Sequence, residues 1–271
     1  MSGSTATTLR TLWHHRSLWW QFTKRQVELR HKGSHLGLLW SVLTPLLLLG
    51  LYVVVFGFIF GGRFRTDATP ETRIEYALIV FLGLAIHHFV GEVMALGPTL
   101  VLSNPNFVKK VVFPLEILPA AAVGSAALHF LITLSLVFGG ALLAGVPLSL
   151  HVLWLPVLML PLFASALGVA LALAALGVFW RDIAQVTQFL VLALLFASAV
   201  FYPVSQVPDT VWYFLRFNPL LHFIEEARAV TFWQRAPNPV HIAYLYATGG
   251  LLLSLGAYAF QRLRGAFADV L

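Results

Sequence analysis

Long apolar runs separated by short polar breaks set the pattern of this chain. Leu36 to Phe60 carries no charged residue. At about 1.5 Å per residue, a helix of that length exceeds the ~30 Å hydrocarbon core of a bilayer. A second run, from Tyr76 to about Leu100, holds a single acid, Glu92. No charge interrupts Ile117 to Trp180, which is too long for one helix. The stretch AGVPLS at 144–149 divides it with the Gly and Pro of a turn. Further runs cover Ile183–Tyr202 and Val240–Phe260. The pattern predicts an all-α integral membrane protein, a single domain over 1–271. Its six transmembrane helices fall near 36–60, 76–100, 118–143, 152–178, 183–202 and 240–260.

Composition agrees. Only 10% of the 271 residues are charged and 59% are hydrophobic, whereas a soluble domain carries about 25% charged residues. The absence of cysteine excludes a disulfide framework and thiolate metal sites. The N-terminus stays polar to Lys32, so no cleavable signal peptide is expected. The net charge of +6 is read as topology rather than nucleic-acid binding, because cytoplasmic loops of membrane proteins concentrate Lys and Arg. With six spans, eleven of these cations fall on the side of the termini, and six, matched by six acids, fall on the other. Both termini are therefore expected in the cytoplasm.

Three polar segments stand apart from ordinary loops. HHRSLWWQFTKRQVELRHKGSHLG interleaves Trp19, Trp20 and Phe22 with Lys24, Arg25, Arg30 and Lys32, the pattern of an amphipathic helix lying at a membrane interface. It serves either as an anchor on anionic lipid or as a platform for an anionic, lipid-linked cargo, since Lys and Arg suit phosphate. NPNFVKKVVFPLEILP, Asn104–Pro119, is a short cytoplasmic loop in which Phe107 to Phe113 is predicted to form a helix. Its Lys109 and Lys110 are either topology markers or part of a docking knob, and FWRDIAQV adds Arg181 and Asp182 on the same side. Phe201 to Pro239 is external, too apolar for a solvated loop and too charged to span. Two short helices near 209–217 and 219–231 that dip into the outer leaflet and return fit its prolines. Its aromatic residues form either an interfacial belt or a path for sugar rings.

Catalytic motifs are missing. The chain contains no G-x-x-x-x-G-K-[ST], no H-E-x-x-H and no G-x-S-x-G. His87, His88 and Glu92 within the second run are the one enzymatic candidate, because an ionisable residue inside a membrane is a functional hypothesis by default. Adjacent histidines do not converge on one metal, and no metal site is expected.

The order of these features resembles the permease subunit of type-2 ABC exporters for lipid-linked polysaccharides, the O-antigen, capsule and teichoic-acid group. The resemblance is carried by LWWQFTKRQVELRHKGSHLGLLWSVLTPLL, VFGFIF, NPNFVKKVVFPLEILP, FWRDIAQV and FYPVSQVP through FNPLLHFIEEAR, and covers about Trp19 to Phe260. It implies a homodimer in the bacterial inner membrane, docked on two copies of a cytoplasmic ATPase that supplies the ATP and Mg. It also implies that this chain has no cofactor, no catalytic residues and no nucleic-acid partner. By the resemblance, Phe107, Lys109, Lys110, Phe113, Arg181 and Asp182 couple to the ATPase. Lys24, Arg25 and Arg30 would meet the undecaprenyl-pyrophosphate of the cargo, with O-antigen the first reading, though the motifs do not separate O-antigen from capsule or wall polymer. Tyr202, Trp212, Tyr213 and Phe217 would line or gate the glycan path. Alternatives are a type-2 permease for a drug or lipid, and a membrane enzyme acting on a lipid-linked sugar at His87, His88 and Glu92.

Overall fold

A computed structural model describes residues 2–30, 33–60, 64, 72–109 and 113–271. Every regular element among the described residues is helical. Two helices, α1 (Ser2–His14) and α2 (Arg16–Arg30), precede α3 (Trp40–Tyr52), which continues as π-helical turns over Val53–Phe60. Then come α4 (Arg73–Leu96), the short α5 (Pro105–Lys109), α6 (Ile117–Leu143), α7 (Leu155–Phe179) and α8 (Ile183–Ala197). After these follow α9 (Asp209–Leu215), α10 (Pro219–Thr231), α11 (Pro239–Leu263) and α12 (Phe267–Val270). Several starts carry their own local signal. The Thr72 hydroxyl accepts the Glu75 N–H at 3.1 Å, and Asn218 and Asn238 accept the N–H groups of Leu220 and Val240 just ahead of proline-led turns.

α4 is the central post. Residues 76–87 are buried without interruption, and α6, α7, α8, α10 and α3 all pack on it. A helix apolar on every side belongs in such a position. Four stretches are long and apolar enough to cross a membrane: Arg73–Thr99, Ile117–Leu143, Leu150–Phe179 and Pro239–Val270. Trp40–Phe56 and Ile183–Ala197 are shorter apolar helices.

The fifth apolar run departs from expectation. It was predicted helical to Tyr202, but α8 stops at Ala197, and its 15 residues rise only about 22 Å. Ala199 takes φ +51°, a left-handed conformation that ends a helix. The freed carbonyls find partners: Asn218 donates to Ala197 O at 3.0 Å, and Arg228 donates to Ala199 O and Val200 O at 2.8 and 2.6 Å. α8 nevertheless starts beside the 97–99 turn that follows α4. The chain beyond it reaches Phe201, whose carbonyl accepts the Tyr76 hydroxyl at 3.4 Å. Together, helix and turn run the length of α4.

α7 and α11 lie side by side in the same direction, Gly249 against Pro161 and Gly256 against Gly168. A Cβ on Gly256 would collide with the Gly168 carbonyl, and one on Gly168 with the backbone at Leu252. The backbones approach as closely as small residues allow, which is how membrane helices pack in the absence of a hydrophobic drive between them. Gly256→Leu is therefore expected to separate α7 from α11. It should lower the thermal midpoint of the detergent-purified protein by an amount equivalent to about 1–3 kcal/mol. Gly250→Leu, where a Cβ meets open space, should leave the midpoint in place.

Candidate functional site

At one end of the bundle the chain leaves the 97–99 turn, forms α5 and re-enters as α6. The helix begins at Pro105, two residues before the predicted start, because proline suits the first helical turn, where no N–H partner is needed. Phe107 and Phe113 do not splay outward. Their rings stack with centroids 4.5 Å apart, and Phe22 of α2 closes on them at 5.5 and 5.2 Å. All three rings are half-buried, and Lys109 is left exposed. The loop is thus braced from inside, with its cation outward. Lys110 lies outside the described residues. Arg181 and Asp182 follow α7 and are exposed, and α12 touches both α5 and α7. Among the described residues no ion pair joins Lys109 to Asp182.

The same loop contains a residue that the sequence reading passed over. Glu116 is 1% exposed and accepts from Gln261 Nε2 at 2.7 Å and Arg264 Nη1 at 2.8 Å. Gln261 also donates to Thr8 Oγ1 at 3.2 Å. One carboxylate thereby ties the start of α6 to the end of α11 and to α1. An acid alone within the apolar stretch FPLEILP was the available signal.

α2 leans lengthwise on the first turns of α6. The Trp19 indole donates to Ala120 O at 2.9 Å, and Thr23 fills the space left by Gly124. Further along, Arg30 donates to His129 Nδ1 at 2.6 Å and forms an ion pair with Glu92 of α4. This changes the expected set of three cations. Arg30 is committed to an internal carboxylate, whereas Lys24 and Arg25 are exposed and lie over the rings of Trp20 and Phe22 at 5.4 and 5.8 Å.

The enzymatic candidate does not assemble. His87 Nε2 donates to Val191 O of α8 at 2.9 Å, His88 faces outward, and Glu92 is held by Arg30. Among the described residues no group of three His, Cys, Asp or Glu could hold a metal.

At the opposite end, α9 and α10 form the two short helices expected before the last apolar run. On α9, Trp212 is half-buried, and Tyr213 is exposed together with Phe217 just beyond the helix. The Arg216 guanidinium lies over both exposed rings at 4.7 and 4.8 Å. Tyr202 is half-buried and donates to Phe196 O at the end of α8. α10 itself is almost wholly buried. Its Arg228 is 0% exposed, lies 4.4 Å from the Phe64 ring centroid, and pairs with Glu225 at 3.0 Å. Its Nε donates to Ile79 O at 3.3 Å, besides the two carbonyls already described. Glu226 accepts the Asn238 N–H at 2.9 Å and pairs with His241 at 2.5 Å, fixing the start of α11. Burial pushes the His222 imidazole below its usual range, opposed by its bond to the Arg216 carbonyl.

An all-helical bundle with four membrane-length apolar helices, and with ion pairs gathered toward its two ends, has the architecture of a polytopic membrane protein. The chain belongs to the ABC-2 type transporter family, whose profile matches residues 17–232. It is 26% identical over 250 residues to the O-antigen export system permease protein RfbA of Klebsiella pneumoniae, covering 92% of this chain and 93% of that one. The protein of the same name from Myxococcus xanthus is 26% identical over 263 residues, 96% and 98% of the two chains. The polysialic acid transport protein KpsM of Escherichia coli is 23% identical over 227 residues, 82% and 83%.

Proposed function

We propose that this chain is the membrane-spanning subunit of an ATP-driven exporter that carries undecaprenyl-pyrophosphate-linked polysaccharide, O-antigen first, across the bacterial inner membrane. The observation that carries this reading is end-to-end similarity to polysaccharide-export permeases in a chain without a phosphate-cradling loop of its own. ATP hydrolysis then belongs to a separate ATPase. The α5 end faces it in the cytoplasm, together with both termini, as the Lys and Arg bias requires.

Six crossings fit the geometry. α7 and α11 run in the same direction, so the chain between them must return, and α8 with its turn covers the length of α4 to do so. α3 has no buried side chain and α8 only Thr187. Their outward rows, Leu47, Val54 and Phe58 on one and Phe189, Leu192 and Phe196 on the other, face a second copy and the channel it helps to form. Coupling runs through Lys109, Lys110, Arg181 and Asp182, with Phe107 and Phe113 holding the loop's shape and offering their outer edges. Lys24 and Arg25 meet the cargo pyrophosphate, and Arg30 sets the angle of their helix.

Deleting the gene should remove the surface polysaccharide and leave finished, lipid-linked polymer inside the cell. Normal surface polymer would overturn the reading, and an unchanged glycan with lost drug or lipid efflux would favour the other type-2 permease. The gate is tested separately. Alanine at both Tyr213 and Phe217 should make proteoliposomes leaky to small solutes and slow polymer export, while expression stays normal. Each ring contributes about 0.5–1.5 kcal/mol beyond burial, so the pair should show more than either single change. A tight, fully exporting double variant would place these rings in lipid.

A further inference from the structure

Between α1 and α2, which follow one another through His15, and the outer surfaces of α6, α7 and α11 lies an apolar groove of about 1010 Å³. Leu131, Phe163 and Leu253 line it on the bundle side, and the exposed Trp13 and Trp20 line it from α1 and α2. The Trp13 side is 75% exposed, an unusual cost for an indole unless it borders lipid. Arg10 and Arg16 line the groove as well. Both are exposed, and among the described residues neither has an acidic partner. Arg16 lies 5.8 Å from the Trp13 ring centroid. Neither arginine figures in the coupling, cargo or gate residues above.

Its length and its charge identify what fits. The wall along α6 runs from Ala120 to Leu131, which is about 16 Å of helix and close to half the ~30 Å hydrocarbon core. The groove is therefore as deep as one leaflet and ends near the midplane. Its charged rim stands at the level of Thr8, Gln261 and Glu116, the end assigned to the cytoplasm. An undecaprenyl chain is several times longer than such a groove, whereas the acyl chains of a glycerophospholipid match it. Guanidinium groups at the rim select a phosphate without a compensating cation, because Arg binds phosphate oxygens in paired hydrogen bonds.

We infer that this groove holds a resident anionic glycerophospholipid of the cytoplasmic leaflet, its phosphate on Arg10 and Arg16 and its acyl chains against α6, α7 and α11. The lipid completes the wedge between α1, α2 and the bundle, so that the segment carrying Lys24 and Arg25 is held by lipid as well as by the Thr8–Gln261 and Arg30–Glu92 contacts. The inference rests on the sidedness proposed above and not on the identity of the exported polymer.

The test uses the full-length protein purified in mild detergent and returned to nanodiscs of phosphatidylglycerol, phosphatidylcholine or a mixture. Native mass spectrometry should show phosphatidylglycerol retained in preference to phosphatidylcholine by at least about tenfold, and the thermal midpoint should rise with it. Arg10→Gln with Arg16→Gln should abolish that preference. Lys24→Gln with Arg25→Gln, outside the groove, should retain it. Equal retention of the two lipids would make the groove ordinary lipid-facing surface and overturn the inference. So would displacement of phosphatidylglycerol by an equimolar polyprenyl pyrophosphate, which would make the groove a cargo site. Loss of polymer export in the cell decides the function reading separately, so the two can fail independently.

Discussion

Arg228→Ala is expected to abolish the stable folded protein or lower its thermal midpoint more than any other single change. The guanidinium serves three backbone carbonyls and Glu225 from a position with no exposure to solvent. Its removal leaves the half-buried Glu225 carboxylate unpaired, at a cost below the roughly 3–5 kcal/mol of a fully buried pair. The orphaned carbonyls of Ala199 and Val200 add to this, at about 1–3 kcal/mol for each group left unsatisfied. Arg228→Lys keeps the charge but has no planar fork to reach several carbonyls at once, so it should recover only part of the loss. Intrinsic fluorescence melting in detergent measures both. A wild-type midpoint for the alanine variant would show that the carbonyls find other partners and that the arginine does not hold the end of α8.

The second large effect is functional rather than structural. Lys109→Glu with Lys110→Glu should reduce capture of the ATPase at least about tenfold and stop export, while the permease inserts and melts as before. Lys109 is exposed and takes no part in the ring contacts of Phe22, Phe107 and Phe113, so the loop keeps its internal support. Like charges brought together at a docked interface cost several kcal/mol. Co-purification of the ATPase on the tagged permease reads the result. Unchanged capture would mean that these lysines mark topology alone.

The helices were legible in the sequence wherever apolar length decided them. Long runs with at most one charged residue leave little choice, and α4, α6, α7 and α11 fall close to their predicted bounds. The end of α8 was not legible, because nothing in Ser198–Ala199–Val200 marks a stop. Ala199 accepts a left-handed backbone there, and the partners that fix the turn, Asn218 and Arg228, arrive twenty or more residues later. Arg228 itself looked like one more external cation. Only its neighbours Ala227, Ala229 and Val230 hinted that an arginine was being buried. Arg30 was read as a ligand-facing charge because its partner, Glu92, is 62 positions away, and a sequence without aligned relatives shows no such pairing. The aromatic pair in the loop between α4 and α6 was visible as residues but not as a stack, since Phe22, which closes it, belongs to another helix.

The pairing of Arg30 with Glu92 also bears on how the chain is made. A ribosome delivers α2 well before α4, so Arg30 is already at the membrane surface when Glu92 leaves the translocon. An acid at the centre of a span costs about 2.5–3.5 kcal/mol to insert, and less near an end, where Glu92 sits. The remaining cost falls on a carboxylate whose counter-charge was synthesised first and waits on the same side. Order of synthesis thus offsets part of that cost, and starting the chain after Arg30 should lower the fraction of α4 that inserts, whereas truncating it before Trp19 should not.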